Sequence, residues 1–346
     1  MKKIRELSKE EVLRADEIHK KSIVIDMCNV AQPFHPFVVN GKLFEMMHKG
    51  GETCGNITLV DSQANLKESM SSLADWHYIF QKNTQVILAS SADDILRAKR
   101  TGKVAVMGAF QNGTPLEDDV DLLLLYHKLG IRVFQPTYNT ANLLGNGCLE
   151  RTDGLTNLGV KAVEAVNHLH MLLDLSHCGT KTTKEALEIS KDPVLYTHAN
   201  PRAICESERN KTDGEIKALA EKEGVIGLTS YSPFAYSKLG VRPTIEDYMK
   251  FVDYTVKLVG VDYVGIGTDI ADAYVGVAEA FERQKHRYPK IFAPWTAESE
   301  RMEGLDHVYL YPNVTKGLVA HGYSDQEIQK ILGLNFLRVI KRVCGK

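Results

Sequence analysis

Two histidines follow apolar, strand-like runs in the middle of the chain, and each falls where the run gives way to a loop. His177 follows MLLDLS, and His198 ends PVLYTH. A third run, DYVGIGTD, ends in Asp269. Neutral imidazoles bind divalent ions such as zinc, and a nearby carboxylate can take a proton from water. Together these residues indicate a metal-dependent hydrolase. A histidine that merely ends a buried strand is the alternative for each ring.

The elements that must position these residues are apolar, β-branched-rich runs that alternate with amphipathic helical patterns. Continuous runs of this kind are typical of parallel strands buried on both faces. The predicted strands are 22–27, 55–60, 103–110, 131–137, 171–176, 193–198, 224–230 and 262–269, with 84–89 as a weaker ninth. Eight such strands predict an α/β fold, a (β/α)8 TIM-type barrel forming one domain over residues 1–346. A doubly wound open sheet is the alternative, weakened because no GxGxxG follows the first strand.

Other polar residues also follow predicted strands and should meet at the same end of a barrel. Cys28 follows the first strand, Gln111 the third, and Tyr138 and Asn139 the fourth. His35, in QPFHPF after the first strand, is the one further histidine whose role is open.

Composition excludes several classes of partner. The 346 residues carry a formal charge of −2, and no stretch combines clustered lysines and arginines with aromatics, so nucleic acid and anionic membranes are not expected partners. The N-terminus has no apolar signal segment, and no run of apolar residues is long enough to span a membrane. We therefore expect a cytoplasmic protein whose six scattered cysteines are reduced.

Two segments flank the predicted barrel pattern. Residues 1–21 are charged and helix-forming, which predicts an N-terminal helical extension. Residues 271–304 form a long, aromatic-rich connection after the last strand. Connections of this length are often lids or binding loops, so this segment is predicted to be a lid or an interface loop.

The chain resembles the membrane (renal) dipeptidase family of zinc peptidases, within the amidohydrolase-type barrels. The resemblance covers nearly the whole chain and is carried by MLLDLSHCG, PVLYTHANPRAI, SERNKTDGEIKALAEKEGVIGLTSYSPF, DYVGIGTD and GYSDQEIQKILGLNFLRVI. It implies a barrel that hydrolyses short peptides with two metal ions, often as a homodimer. It also implies that His177 and His198 hold one ion, that Asp269 serves the metal-activated water, and that Arg209 binds the substrate carboxylate.

The sequence departs from the family pattern at three of the five expected metal ligands and at one substrate-polarising position. The family's first strand ends in His-x-Asp, whereas this chain has Cys28-Asn29-Val30. Gln111 replaces the bridging glutamate, and Tyr138 replaces a histidine that polarises the substrate. Two adjacent divalent ions need carboxylates to offset their repulsion. A single ion is therefore predicted.

The remaining residues predict one zinc ion held by His177 and His198, with Cys28 and Gln111 as weaker candidate ligands. In this hypothesis Asp269 is the catalytic base, and Tyr138 donates to the oxyanion. Arg209 and Asn139 bind the substrate, a dipeptide or a similar small carboxylate-bearing amide. A hydrolase of a non-peptide C–N or ester bond and a non-catalytic binding barrel without metal are the alternatives.

Overall fold

Parallel strands form a closed cylinder in the computed structural model, which describes residues 3–151, 153–274 and 276–345. The strands are β1 (Ile25–Ala31), β2 (Cys54–Val60), β3 (Val86–Leu88), β4 (Val104–Phe110), β5 (Ile131–Phe134), β6 (Leu172–Leu173), β7 (Leu195–Ala199), β8 (Val225–Leu228), β9 (Val264–Ile266) and β10 (Ile270–Ala273). Eight of them, β1, β2 and β4 to β9, follow one another around the cylinder in chain order.

Two contacts close this cylinder. Strand β9 returns to β1 through the pair Asp26 and Ile266, and a parallel bridge between Asp174 and Leu195 joins β6 to β7. Strand β3 pairs with the first half of β4, and β10 pairs with the end of β1, so both lie outside the eight. The predicted (β/α)8 barrel is therefore confirmed, and the open-sheet alternative is wrong.

Helices surround the barrel and connect its strands. They are α1 (Lys9–Lys21), α2 (Pro36–Val39), α3 (Lys42–Lys49), α4 (Leu66–Lys82), α5 (Ala92–Thr101), α6 (Leu122–Lys128), α7 (Asn157–His168), α8 (Thr180–Ile189), α9 (Asp213–Glu221), α10 (Ile245–Val259), α11 (Val277–Arg287), α12 (Pro289–Phe292), α13 (Pro312–Ala320), α14 (Asp325–Gln329) and α15 (Asn335–Val343). The predicted N-terminal extension contains α1, which begins at the capping box of Ser8 and Glu11 and packs against α13. Residues 1–2 of that extension lie outside the described residues.

The core divides according to the two faces of the strands. Ile25 and Met27 of β1 belong to one buried cluster, together with Phe336 and Ile340 of α15. The preceding Val24 belongs to a larger cluster that includes most of the surrounding helices. Successive side chains of a strand point to opposite faces. The cluster of Ile25 and Met27 therefore fills the cylinder, and the cluster of Val24 packs the helices against it.

Strand bounds differ from the sequence prediction where polar side chains form hydrogen bonds with backbone N–H groups. The predicted strand 171–176 is reduced to Leu172–Leu173, because the Asp174 carboxylate accepts hydrogen bonds from the backbone of Ser176 and Thr197. The first strand begins at Ile25 and continues to Ala31, so Cys28 lies within it and not after it.

None of the helices among the described residues is long and apolar enough to cross a membrane. All six cysteines are unpaired, as the sequence predicts.

Close strand packing next to the site requires glycine at position 267. A Cβ atom on Gly267 would lie 1.8 Å from the backbone oxygen of Thr197, the residue before His198. A Cβ atom on Gly214, in α9, would meet only the Thr212 hydroxyl, at 4.0 Å. We expect Gly267→Ala to lower the free energy of unfolding by about 3 kcal/mol or more, since strands must move apart. Gly214→Ala should be neutral or stabilise by up to about 1 kcal/mol. Urea denaturation of both variants measures the difference, and equal effects would contradict this packing.

Candidate metal centre and substrate cavity

A cavity of about 640 Å³ opens at the carboxyl ends of the barrel strands. His177, Asp269, Gln111 and Tyr138 lie on its lining, each from the end of a different strand. His198 and Cys28 are 1% exposed and lie just beneath this surface. The fold thus gathers residues that are up to 241 positions apart in the sequence, as expected for the C-terminal face of a (β/α)8 barrel.

The Nε2 atoms of His177 and His198 face each other. His177 Nε2 lies 2.9 Å from His198 Nε2, and the ring centroids are 4.9 Å apart. His177 reaches this position from the loop after β6, and His198 is in β7. The neighbouring strands therefore bring both rings to one point, the arrangement on which the metal hypothesis depends.

Hydrogen bonds on the far side of each ring indicate which nitrogen carries the proton. His177 Nδ1 lies 2.7 Å from Asn139 Oδ1, an acceptor, so Nδ1 is the protonated nitrogen. His198 Nδ1 lies 2.7 Å from Thr197 Oγ1, and that hydroxyl donates to Asp174 Oδ2 at 2.7 Å. The Thr197 hydroxyl must then accept from His198 Nδ1–H. Both Nε2 atoms consequently present lone pairs to each other.

The donor set fits a divalent cation. Burial, followed by the positive charge of Arg209, holds the pKa values of His177 and His198 well below the usual histidine value, so both rings are neutral at pH 7. Two lone pairs at 2.9 Å repel each other unless a cation lies between or beside them. Neutral imidazoles whose second nitrogens donate to oriented partners are the usual form of zinc-binding histidines.

Asp269 and Cys28 complete this cluster. Within the described residues, Cys28, His198 and Asp269 form the one group of three side chains whose ligand atoms all lie within 4.8 Å of one another. Asp269 has φ of 63°, a left-handed conformation that Asp tolerates better than most residues, and its N–H donates to the Cys28 carbonyl at 2.9 Å. This strained backbone turns the carboxylate into the cavity.

The protonation of Asp269 and Cys28 follows from burial. Burial raises the pKa of Asp269, and Arg209 opposes the shift. Burial, with the negative charges of Asp269 and Asp26, also raises the pKa of Cys28 well above its usual value. The Cys28 thiol donates to Asp269 Oδ1 at 3.3 Å. It lies within reach of an ion at His198, but becomes a good ligand only if the ion displaces its proton.

Gln111 is placed differently from its prediction as a weak metal ligand. Its Nε2 donates to Cys28 Sγ at 3.3 Å and to Thr58 Oγ1 at 2.9 Å. The amide thus turns a donor nitrogen toward the cluster. In this orientation Gln111 positions Cys28, and its role as a weaker metal ligand stays a prediction.

Tyr138 stacks on His177, with ring centroids 4.1 Å apart and an interplanar angle of 23°. Burial, together with the charge of Asp269, raises the pKa of the Tyr138 phenol far above its usual value. The phenol therefore keeps its proton and can donate a hydrogen bond inside the cavity that it lines. This placement is compatible with the predicted role at an oxyanion.

Arg209 is buried and bonds to the backbone beside both histidines. Its side chain is 1% exposed, Nη1 donates to the Ser176 carbonyl at 2.6 Å and Nη2 to the His198 carbonyl at 2.7 Å. These bonds give Arg209 a positioning role that the sequence did not predict. They use two of the five N–H groups, and Nε has no hydrogen-bond partner among the described residues, so the predicted substrate-binding role stays a prediction.

Asn139 also positions a site residue, and since it lines the cavity its predicted contact with substrate stays a prediction. Its Oδ1 is occupied by His177 Nδ1, and its backbone has φ of 62°. The Asp174 and Thr197 pair that orients His198 was not predicted from the sequence. Its one signal is an aspartate inside the apolar run MLLDLS. His35 caps α2 by accepting from the Phe37 N–H and takes no part in the metal cluster.

The predicted lid or interface segment, 271–304, lies over the cavity. Its Tyr274, Phe281, Phe292 and Glu300 are lining residues. Residue 275 lies outside the described residues. The segment therefore forms part of the cavity wall, and whether it also moves or contacts a second chain stays a prediction.

The hydroxyl of Thr197 offers a test of the inferred tautomers. Thr197→Val would leave buried Asp174 Oδ2 and His198 Nδ1 without their shared partner. We expect the free energy of unfolding to fall by roughly 1–3 kcal/mol and metal affinity to fall about tenfold or more. Thr255→Val is the matched control, since Thr255 is also buried but bonds only to the Phe251 carbonyl in α10. Chemical denaturation and metal titration read both effects; unchanged metal affinity in Thr197→Val would contradict the tautomer assignment.

Comparison with known proteins places the chain among peptidases. The family model "Membrane dipeptidase (Peptidase family M19)" matches residues 46–297 and 293–344. The dipeptidase tcpJ of Claviceps purpurea is 26% identical over 259 residues, covering 74% of this chain and 55% of that protein. Dipeptidase 3 of Rattus norvegicus is 27% identical over 264 residues, covering 74% and 48%. The chain thus spans about half the length of the curated relatives it matches.

Solved structures agree with this placement. An amidohydrolase from Pseudomonas aeruginosa superposes with a TM-score of 0.86 at 33% identity, over 96% of this chain and 99% of that one. A metallo peptidase from Rhodobacter sphaeroides, liganded with a phosphinate mimic of the dipeptide L-Ala-D-Ala, shares the fold with a TM-score of 0.77 at 19% identity, over 93% and 100%. With its barrel, its paired histidines and a family match over most of its length, the chain belongs to the membrane dipeptidase family, peptidase family M19.

Proposed function

We propose that this protein is a metal-dependent hydrolase that cleaves the amide bond of a dipeptide or a similarly small substrate. Three observations carry the proposal: two neutral imidazoles face each other, Asp269 and Cys28 group with one of them, His198, and the other, His177, lines the same 640 Å³ cavity as Asp269. Membership of the dipeptidase family supports the same class of reaction.

The donor set favours a single zinc ion. Imidazole nitrogen and thiol sulfur suit zinc better than magnesium or calcium, which prefer oxygen ligands. His177 and His198 would hold the ion, with Asp269 and Cys28 within reach. When bound, such an ion acidifies a water molecule and polarises a carbonyl group. A second ion would lack carboxylates, because Gln111 and Val30 stand where the resemblance places a glutamate and an aspartate.

Protein groups supply the remaining steps. Asp269 lies on the cavity floor and accepts the proton of the attacking water, and its buried setting makes it a stronger base than an exposed aspartate. The Tyr138 phenol stays protonated and donates to the negative charge that develops on the substrate oxygen. Arg209 holds the backbone at Ser176 and His198 in place, and Asn139 holds the His177 ring.

We further propose a cytoplasmic location, which the unpaired state of all six cysteines supports. A homodimer stays a prediction from the resemblance. Dipeptides are preferred over non-peptide amides and esters as candidate substrates because a relative with the same fold binds a dipeptide mimic.

Metal analysis combined with a hydrolysis screen tests the proposal. The purified protein should carry about one equivalent of zinc per chain and should hydrolyse members of a panel of dipeptides, amino-acid amides and esters. Chelation should abolish the activity, and added zinc should restore it. A protein that is metal-free, indifferent to zinc and inert on the whole panel would be a binding barrel, and the proposal would be wrong.

A further inference from the structure

The charged side chains that line the cavity are mostly acidic. Within the described part of the chain, the lining carries the carboxyl groups of Asp61, Glu68, Asp269, Glu300 and Asp306 and only one lysine or arginine, Arg301. Arg301 is already engaged, since Nη1 lies 3.3 Å from Asp272 Oδ1 and Nη2 donates to the Ala271 carbonyl. A substrate carboxylate would find no uncommitted cation on this lining, whereas a substrate cation would find a surplus of negative charge.

Glu300 is the acid best placed to bind such a cation. It is 3% exposed, yet it lies on the cavity lining. Its Oε2 accepts from the Tyr231 hydroxyl at 2.9 Å, and among the described residues no cationic side chain forms an ion pair with it. Asp306, in contrast, is paired with Arg242 at 3.0 Å. Buried carboxylates are normally paired, so an unpaired one that faces a cavity is a natural partner for a ligand cation.

Tyr231, which bonds to this carboxylate, belongs to a cluster of aromatic rings in the same cavity. Tyr231, Phe234, Phe281 and Phe292 all line the cavity. Neighbouring centroids are 5.5 Å apart for Tyr231 and Phe234, 5.9 Å for Phe234 and Phe292, and 6.1 Å for Phe281 and Phe292. Aromatic faces attract cations and bury the apolar groups attached to them. A carboxylate beside several rings therefore suits an organic ammonium group better than a metal ion or an anion.

We infer that the cavity selects substrates with an alkyl- or arylalkyl-ammonium group, which binds against Glu300 under the Tyr231, Phe234, Phe281 and Phe292 rings. This inference rests on the proposed function for the amide bond that is cleaved, but the binding preference itself can be measured without any cleavage. It names Glu300 as a specificity-determining residue.

Three probes of nearly equal shape and different charge test the inference. They are phenethylammonium, 2-phenylethanol and 3-phenylpropionate, and none contains a bond that a hydrolase of this class would cleave. Calorimetric titration of the protein as purified should show that the ammonium binds at least about tenfold more tightly than the alcohol. The carboxylate should bind more weakly than the alcohol, because it would meet unpaired acids.

Paired substitutions assign the preference to one side chain. Glu300→Gln should weaken ammonium binding about tenfold to thirtyfold and should leave alcohol binding within about twofold. Glu298→Gln removes the same charge two residues away at an exposed position and should change neither affinity by more than about twofold. Thermal unfolding of both variants checks that the fold is retained.

Equal binding of the three probes by the wild-type protein, or tightest binding of the carboxylate, would overturn the inference even if Glu300→Gln failed to fold. Equal losses of ammonium affinity in Glu300→Gln and Glu298→Gln would show that the preference comes from the overall negative charge and not from a contact with Glu300. That result would also overturn the inference. Because the probes are not hydrolysed, a protein that prefers the ammonium but cleaves no amide would refute the proposed function alone.

Discussion

His198→Ala should abolish metal binding and, as a consequence, hydrolytic activity. The substitution removes one of two facing imidazole nitrogens and a member of the only three-residue ligand cluster among the described residues. His177 and His198 are the two residues assigned to hold the ion, so the loss of one imidazole should lower metal affinity by more than about 100-fold. The value of kcat/KM should fall by at least about 1,000-fold, since both the ion and the geometry around it are lost.

His168→Ala is the matched control, because His168 is exposed at the end of α7 and lies outside the site. Its metal content and kcat/KM should equal those of the wild-type protein. Metal content is measured by mass spectrometry after dialysis against a fixed concentration of free zinc. If His198→Ala kept its full equivalent of zinc and its activity, the paired histidines would not be the metal centre.

Asp269→Asn should separate metal binding from proton transfer. Asparagine keeps the size of the side chain and tolerates the left-handed backbone conformation found at this position, where φ is 63°. It cannot accept a proton at pH 7. We expect kcat to fall about 100- to 10,000-fold, while zinc stays bound to His177 and His198.

Asp306→Asn provides the comparison, because Asp306 lines the same cavity but is paired with Arg242. It should keep kcat within about threefold of the wild-type value, since a partly exposed pair contributes little. Undiminished turnover in a zinc-containing Asp269→Asn protein would remove Asp269 from the chemistry. Loss of zinc in that variant would make Asp269 a required ligand and not only a base.

The fold could be predicted from the sequence because buried parallel strands leave a local pattern of apolar, β-branched residues. The pattern is weaker at strand ends. Asp174 ends β6 after Leu173 because its carboxylate takes backbone N–H groups that would otherwise continue the ladder. Such a side-chain competition depends on Thr197, which is distant in sequence, and local patterns do not report it.

The residue types of the candidate site could be predicted from the sequence, but the role of each residue could not. His177, His198 and Asp269 follow recognisable strand patterns, and the structure places them together. The roles of Arg209 and Asn139 depend on which partner each group reaches in three dimensions. Both are used within the protein, on backbone carbonyls and on His177 respectively. The family pattern marks Arg209 by its position, but it does not report that two of its nitrogens hold the backbone beside the histidines.

Glu300 illustrates a second limit. It lies in a long segment whose aromatic content suggested a lid, yet nothing in its local sequence marks it as a cavity residue. Its importance comes from its bond to the Tyr231 hydroxyl, from the rings of Phe234 and Phe292 in the same cavity, and from the lack of an ion pair to it among the described residues. Substrate charge is therefore a property of the assembled cavity and could not be derived from the family pattern.

Crystals of the zinc-containing protein, measured on both sides of the zinc absorption edge, test the metal centre most directly. One anomalous peak per chain should appear at about 2.0–2.3 Å from the Nε2 atoms of both His177 and His198. Asp269 should face the same peak. No peak at zinc-saturating concentration, or a peak bonded to neither ring, would mean that these imidazoles serve packing and that the hydrolase assigned to them does not exist.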